Sequence, residues 1–123
     1  MGMEQVLIVD DSMVARMSVR NALKETGAET KEAPCGEDAL ALVAGGYAPT
    51  LVFLDLTMPG IGGVETLRRL RDQGVSTKVI VVTADVQAAT LAQLKGLDPF
   101  EVLRKPADKA AIQAAYAKAI GAL

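Results

Sequence analysis

The sequence predicts an α/β domain in which five parallel strands form a doubly wound sheet, in the order 2-1-3-4-5, flanked by five helices. Apolar, β-rich runs alternate with stretches of helical spacing along the 123 residues. Strands one, three and four read as continuous Val, Ile, Leu and Phe, as a sheet covered on both faces requires. The repeating units are short, so the crossovers must be right-handed and the strands parallel.

The strands follow from the apolar runs and their composition. The three continuous runs belong at the centre of the sheet, whereas a more polar second run and a mixed fifth run suit its edges. In chain order the predicted strands cover residues 6–9, 28–33, 51–54, 78–82 and 100–103.

The helices follow from apolar residues spaced three and four apart. In the first helix, Ala15, Val19, Ala22 and Leu23 share one face, and Gly27 is the predicted C-cap. The later helices are marked by Ala39, Leu42 and Val43 before Gly45-Gly46; by Val64, Leu67 and Leu70 before Gly74; by a weaker pattern from 86 to about 95, before Gly96; and by Ile112, Tyr116, Ala119 and Ile120.

Composition excludes several function classes. The net charge of −2 disfavours a nucleic-acid binder, which is usually basic. The absence of histidine removes His bases, His-ligated metals and a phosphohistidine carrier role. A single cysteine allows neither an internal disulfide nor a Cys-cluster zinc site. The basic stretch Arg68, Arg69 and Arg71 is interpreted as a solvated helix face.

The chain is expected to be one domain over residues 1–123, with a core from about residue 5 to 123. Residues 1–4 are interpreted as an N-terminal lead, and whether Met1-Gly2-Met3 comes from cloning is left open. No apolar run approaches the roughly 18 residues of a membrane span, and the start has no basic signal-peptide region. We therefore expect a cytoplasmic protein that is a monomer or a weak dimer and binds neither membrane nor nucleic acid.

Charged and polar residues follow four of the predicted strands. Asp10 and Asp11 come after strand one, Asp55 after strand three, Thr83 after strand four and Lys105 after strand five. In a sheet of this kind ligands bind outside the carboxyl ends of the strands, so these side chains should share one rim. Helix capping would explain one of the adjacent aspartates, but it would not explain the whole set.

Three neighbouring carboxylates repel one another, and a cation must offset the repulsion. Lys105 supplies one positive charge. With no His available and one Cys, the remainder favours a hard cation with oxygen ligands, Mg²⁺ first and Mn²⁺ as the alternative.

Four motifs then carry a resemblance: VLIVDDS, LVFLDLTMPGIGG, VIVVTAD and VLRKPAD, in that order. Together they resemble the receiver domain of two-component response regulators, similar to stand-alone, CheY-like chemotaxis regulators with the flavodoxin-like sheet. The resemblance implies phosphorelay signalling: Asp55 accepts a phosphoryl group from a histidine kinase or phosphotransfer protein, and the domain then switches its binding to a target protein that the sequence does not name.

The resemblance also assigns the other site residues. Asp10, Asp11, Asp55 and the backbone carbonyl of Thr57 are implied to hold Mg²⁺. Lys105 is implied to pair with the phosphoryl oxygens, Thr83 to move its hydroxyl onto them, and the Lys105-Pro106 bond to be cis. The domain would not be an enzyme beyond accepting its own phosphoryl group and slowly losing it.

Two departures concern the switch. Receivers commonly carry an aromatic residue three positions before the lysine, where this chain has Val102, and Phe100 is the nearest aromatic. Because Gly96 comes early and Pro99 precedes strand five, helix four is expected to be short or irregular.

Three alternatives remain open. A Mg²⁺-dependent phosphohydrolase with an aspartyl nucleophile would need an acid two residues after Asp55, where this chain has Thr57. In a flavodoxin-like cofactor binder, Asp10 and Asp11 would repel the phosphate. A degenerate receiver used only for protein binding would not need the complete set of site residues.

Overall fold

A computed structural model describes residues 4–123 and confirms the predicted fold class. Residues 1–3, the Met1-Gly2-Met3 stretch, lie outside the described part. Glu4 belongs to the folded chain rather than to a lead, because its carbonyl accepts a hydrogen bond from the Glu29 N–H at 2.9 Å. Among residues 4–123, no helix is both long and apolar enough to cross a membrane.

Five strands pair in parallel in the order β2-β1-β3-β4-β5. The strands are β1 Gln5–Val9, β2 Glu29–Ala33, β3 Leu51–Leu54, β4 Lys78–Thr83 and β5 Glu101–Arg104. The helices are α1 Met13–Leu23, α2 Gly36–Ala44, α3 Gly62–Asp72, α4 Ala88–Ala92 and α5 Lys109–Gly121, with a 3-10 turn at Lys24–Thr26 before the left-handed Gly27.

Alternation along the central strands divides the core between the two faces of the sheet. Ile8 and Phe53 lie in a cluster with Leu23 of α1 and Ile112 of α5. Their neighbours Val9 and Leu54 face the other way, in a cluster with Leu67 of α3. Both faces are therefore covered, which explains why the central strands are apolar throughout.

The start of α3 packs tightly against the end of β3. A Cβ at Gly63 would overlap the Asp55 carbonyl oxygen and lie 2.6 Å from Leu56 Cα. Only glycine allows this close approach, which supports the backbone that carries Asp55.

The fourth helix is short, as the early glycine indicates, but the predicted range of 86 to about 95 is too long. α4 covers only Ala88–Ala92, and turns follow it. Gly96 and Asp98 both adopt left-handed backbone conformations there, with φ of 81° and 56°. The helix has already ended at Ala92, and these conformations keep the segment between α4 and β5 from continuing as a helix.

The interpretation of Arg71 as part of a solvated face is wrong. Its guanidinium donates to four carbonyl oxygens at 2.8–3.1 Å, those of Val75, Thr77, Leu97 and Asp98. It therefore joins the end of α3 to the segment after α4. Arg68 and Arg69 behave as predicted, since they are about half exposed and pair with Glu65.

Candidate functional site

The predicted site residues meet at one rim of the sheet. Asp10 follows β1, Asp55 follows β3, Thr83 ends β4 and Lys105 follows β5, so parallel pairing brings these strand ends together. Carboxylate oxygens of Asp10, Asp11 and Asp55 all lie within 4.8 Å of one another.

Asp10 is 6% exposed, and the chain satisfies both of its carboxylate oxygens. Oδ1 accepts from the Ser12 N–H at 3.0 Å, and Oδ2 accepts from Lys105 Nζ at 2.7 Å. Helix α1 has its own cap, because the Ser12 hydroxyl accepts from the Ala15 N–H at 3.2 Å. Capping of this helix therefore does not account for the two aspartates.

Asp55 is 5% exposed, and its surroundings disfavour the ionised form of its carboxylate. Burial, and then the negative charge of Asp10, raise the pKa of Asp55 above its ordinary value. Lys105 and the Thr57 N–H, which lies 3.3 Å from Asp55 Oδ1, reduce this rise without cancelling it. The carboxylate is thus poorly solvated and incompletely paired, as suits a group that attacks an electrophile.

Lys105 bridges the two buried carboxylates. Its Nζ lies 2.7 Å from Asp10 Oδ2 and 3.5 Å from Asp55 Oδ2. Burial lowers the pKa of Lys105, but the hydrogen bond to Asp10 and the charge of Asp55 outweigh burial, so that the pKa is raised. The ammonium stays charged at neutral pH. The bond from Lys105 to Pro106 is cis, as the resemblance implies.

Thr83 is fully buried, and its hydroxyl begins a chain of hydrogen bonds into α4. Thr83 Oγ1 accepts from the Asp85 N–H at 3.1 Å. The Asp85 carboxylate in turn accepts from the Gln87 N–H at 3.2 Å and from the Thr90 hydroxyl at 2.6 Å. A change in the Thr83 hydroxyl would therefore reach the first turn of the short helix.

Val102, which stands where receivers commonly carry an aromatic residue, and Phe100, the nearest aromatic, face opposite sides of the sheet. Val102 packs against the cluster that contains Val81, whereas Phe100 packs against the cluster that contains Ile80 and has Lys78 Nζ 5.3 Å from its ring centre. Phe100 therefore does not replace the missing aromatic on the Val102 side.

An open cleft of about 660 Å³ exposes the site to solvent. Asp11, Asp55, Thr57, Asp85 and Lys105 line it, and Ala84 contributes to the same wall. A second cleft of about 510 Å³ lies beside it, between α1 and the loop after β5. Asp55 lines both clefts, so it borders open space on the side of α1 and on the side of the loop after β4.

The donor set fits a hard divalent cation. All three grouped residues are carboxylates, and within residues 4–123 Lys105 is the only positive side chain within 4.0 Å of their carboxylate oxygens. Two full negative charges therefore remain to be compensated at neutral pH if all three ionise, which suits Mg²⁺ with its preference for oxygen. The part of the Thr57 carbonyl stays a prediction, although Thr57 lines the same cleft.

Sequence reasoning missed Arg16, which donates from Nη1 to the Asp10 carbonyl oxygen at 2.6 Å. It also missed the bond between Thr90 and Asp85. Helical spacing shows which face of a helix is apolar, but it does not show which carbonyl a long side chain will reach.

Comparison with known proteins agrees with this arrangement. The family model for the response regulator receiver domain matches residues 6–117, and the chain belongs to that family. Such domains bind Mg²⁺ at an acidic cluster like this one and interact with histidine kinases or phosphotransfer proteins.

Two curated relatives show how far the similarity extends. The chain is 37% identical over 103 residues to "Regulator of RpoS" of Escherichia coli K12; this match covers 84% of the chain but 30% of that protein. The chain therefore spans under a third of that relative. It is 32% identical over 105 residues to "Sporulation initiation phosphotransferase F" of Bacillus subtilis, and this match covers 85% of the chain and 84% of that protein.

Solved structures show the same fold over nearly the whole chain. Chemotaxis protein CheY4 of Vibrio cholerae superposes with a TM-score of 0.87 at 26% identity, over 96% of this chain and 99% of the other. A CheY-like receiver domain from Methanospirillum hungatei gives 0.91 at 20% identity over 98% and 96%, a likeness of fold alone.

Proposed function

We propose that this domain accepts a phosphoryl group from a phosphohistidine onto Asp55, and that the modification changes its binding to another protein. The observation that carries the proposal is the state of Asp55: a nearly buried carboxylate that faces an open cleft, 3.5 Å from Lys105 and grouped with Asp10 and Asp11.

The phosphoryl transfer exchanges one bond to phosphorus for another. A carboxylate oxygen of Asp55 forms the new bond to phosphorus as the bond from phosphorus to the imidazole nitrogen breaks, and that nitrogen keeps the electron pair. Lys105 meets the negative charge on the phosphoryl oxygens, and the Thr83 hydroxyl turns toward them. Mg²⁺, held by Asp10, Asp11, Asp55 and the Thr57 carbonyl, supplies further charge neutralisation when bound.

The chain favours transfer over turnover. After Asp55, the position two residues along is Thr57, which cannot act as the acid that a phosphohydrolase needs. The domain therefore catalyses only its own modification and a slow loss of the phosphate. A histidine kinase or phosphotransfer protein would supply the phosphohistidine, since receiver domains interact with such proteins.

The side of the site that faces the donor is apolar. On α1, Met13 and Val14 are 63% and 74% exposed, and Met17 is 39% exposed, so these side chains are not part of the core. Val14 lines the cleft between α1 and the loop after β5, and Met13 and Met17 belong to the same helix. An apolar helix surface of the donor can pack there while its phosphohistidine reaches Asp55.

Acetyl phosphate tests the reaction without a named donor. We expect a mass gain of about 80 Da with Mg²⁺ and none with EDTA. Asp55→Asn keeps the shape but removes the nucleophile and should prevent the gain, whereas Asp72→Asn, an exposed change at the end of α3, should not. An equal gain in the Asp55→Asn protein would overturn the assignment.

Thermal unfolding tests the metal site separately. Mg²⁺ at ten times its dissociation constant should stabilise the parent by about 1.4 kcal/mol. Asp11→Ala should remove most of this effect, and Asp72→Ala should retain it. A melting temperature that millimolar Mg²⁺ leaves unchanged in the parent and in Asp11→Ala would show that the cluster does not bind the ion.

A further inference from the structure

Arg16 lies on α1, yet its side chain is only 14% exposed and joins two strands. Nη1 donates to the carbonyl oxygen of Asp10 at 2.6 Å, and Nε donates to Glu32 Oε1 at 3.0 Å. The guanidinium therefore connects the end of β1 with the edge strand β2.

Glu32 is held in turn by its place in the sheet. Its backbone pairs with Ile8 in the parallel ladder, and its outer oxygen accepts from Arg20 Nη1 at 2.7 Å. One residue along, the Ala33 carbonyl accepts from the Asp10 N–H at 3.2 Å. Asp10 is thus anchored to β2 twice, by its N–H directly and by its carbonyl through Arg16 and Glu32.

The anchored carbonyl controls the next residue as well. It belongs to the planar peptide group that joins Asp10 to Asp11, so its direction sets the plane in which Asp11 continues the chain. Asp11 is exposed, and within residues 4–123 its carboxylate accepts no hydrogen bond. The position of this carboxylate relative to Asp10 and Asp55 therefore depends on the backbone that Arg16 holds.

We propose that Arg16 is a positioning residue for the acidic cluster. By fixing the Asp10–Asp11 peptide, it sets the spacing between the carboxylates and with it the affinity of the cluster for a divalent cation. This inference rests on the metal site of the proposed function. Arg16 contacts a backbone carbonyl and not the carboxylates, so it acts through the ligands rather than on the ion.

The sign of a single measurement separates positioning from simple charge. Arg16→Met removes a positive charge near the carboxylates, and by Coulomb's law alone the cation should then bind more tightly. Loss of positioning predicts weaker binding instead. Arg20 lies one turn further along α1 and pairs with Glu32 without contacting Asp10. Arg20→Met also removes one positive charge, so it is the matched control.

Mn²⁺ binding followed by electron paramagnetic resonance gives the affinity directly. We expect Arg16→Met to weaken Mn²⁺ binding about tenfold, in the range typical of residues that orient metal ligands. Arg20→Met should bind Mn²⁺ as the parent does, or more tightly. Arg16→Lys keeps the charge, but an ammonium cannot reproduce the guanidinium that donates to both the Asp10 carbonyl and Glu32. This variant should therefore also bind Mn²⁺ more weakly than the parent.

The outcomes are distinct. A parent that does not bind Mn²⁺ refutes the metal site of the proposed function. A parent that binds, together with an Arg16→Met protein of equal or higher affinity, overturns the positioning role alone. Far-UV circular dichroism and urea unfolding in EDTA check the fold of each variant. If Arg16→Met fails to fold, Arg16→Lys decides, and parental affinity or loss of folding in that variant would also refute the inference.

Discussion

Lys105 Nζ donates to Asp10 Oδ2 at 2.7 Å, and this pair joins two residues that are 95 positions apart in the chain. It also places the ammonium 3.5 Å from Asp55. The lysine that is proposed to meet the phosphoryl group therefore already compensates two nearly buried carboxylates in the unmodified domain. Its removal should affect folding as well as chemistry.

We expect Lys105→Met to lower the free energy of unfolding by roughly 1–3 kcal/mol in EDTA, because it leaves buried carboxylate oxygens without their hydrogen-bond donor. Mg²⁺ should stabilise this variant more than it stabilises the parent, since the uncompensated charge is larger. Urea unfolding with EDTA and with Mg²⁺ measures both effects. Lys109→Met, which removes an exposed pair with Glu25, serves as the control. Equal stability of Lys105→Met and the parent would contradict the prediction.

Asp55 should make the metal-free fold less stable as the pH rises. Its pKa is higher in the folded than in the unfolded chain, because burial and Asp10 disfavour the ionised form. The folded state therefore binds its proton more tightly, so this contribution to stability is complete below about pH 4 and is lost as the pH rises through the folded pKa. Above that point, ionised Asp55 makes a net unfavourable contribution.

Asp55→Asn removes this penalty. The variant should be more stable than the parent at about pH 7, and the difference should shrink toward about pH 4. Urea unfolding in EDTA at several pH values would follow it, with Asp72→Asn as a surface control. A variant that is less stable than the parent at neutral pH would show that Asp55 is not strained in the fold.

The sequence alone predicts the central strands and the grouping of the site residues, but not the contacts of the arginine side chains. Strand three was predicted at its observed bounds, since its apolar run is buried on both faces and ends at Asp55. The meeting of Asp10, Asp55 and Lys105 followed from parallel strands that end at one rim. The contacts of Arg16 and Arg71 did not follow, because each depends on carbonyl oxygens that only the tertiary fold places within reach.

Thr83 should carry the response to phosphorylation into α4. When its hydroxyl turns to the phosphoryl group, the Asp85 N–H loses its acceptor, and the contacts from Asp85 to Gln87 and Thr90 must readjust. Amide hydrogen exchange with and without beryllofluoride, a phosphoryl mimic, should change most over residues 83–87. Val102 should change little, because its short β-branched side chain has few rotamers with which to act as a lever.

Two variants separate the routes. Thr83→Ala should suppress the response to beryllofluoride, whereas Val102→Ala should retain most of it. The Phe100 side chain faces the other cluster, so Phe100→Leu should also retain the response in residues 83–87. Loss of the response in Val102→Ala together with a normal response in Thr83→Ala would refute this route.

The phosphorylated domain should lose its phosphate over minutes rather than seconds. Hydrolysis requires a water molecule in line with the bond from phosphorus to Asp55, and Thr57 and Asp85 border that path in the cleft. Thr57 has no long amide with which to orient water. The Asp85 carboxylate accepts hydrogen bonds from the Gln87 N–H and the Thr90 hydroxyl, so it is held toward α4.

Thr57→Asn and Asp85→Glu should each change the decay rate several-fold, as measured by the loss of the phosphorylated mass after removal of acetyl phosphate. Thr90→Val should also alter the rate, because it frees one Asp85 oxygen, whereas Thr90→Ser keeps the hydroxyl and should decay like the parent. Decay at the parental rate in Thr57→Asn, Asp85→Glu and Thr90→Val alike would show that neither Thr57 nor Asp85 controls access of water.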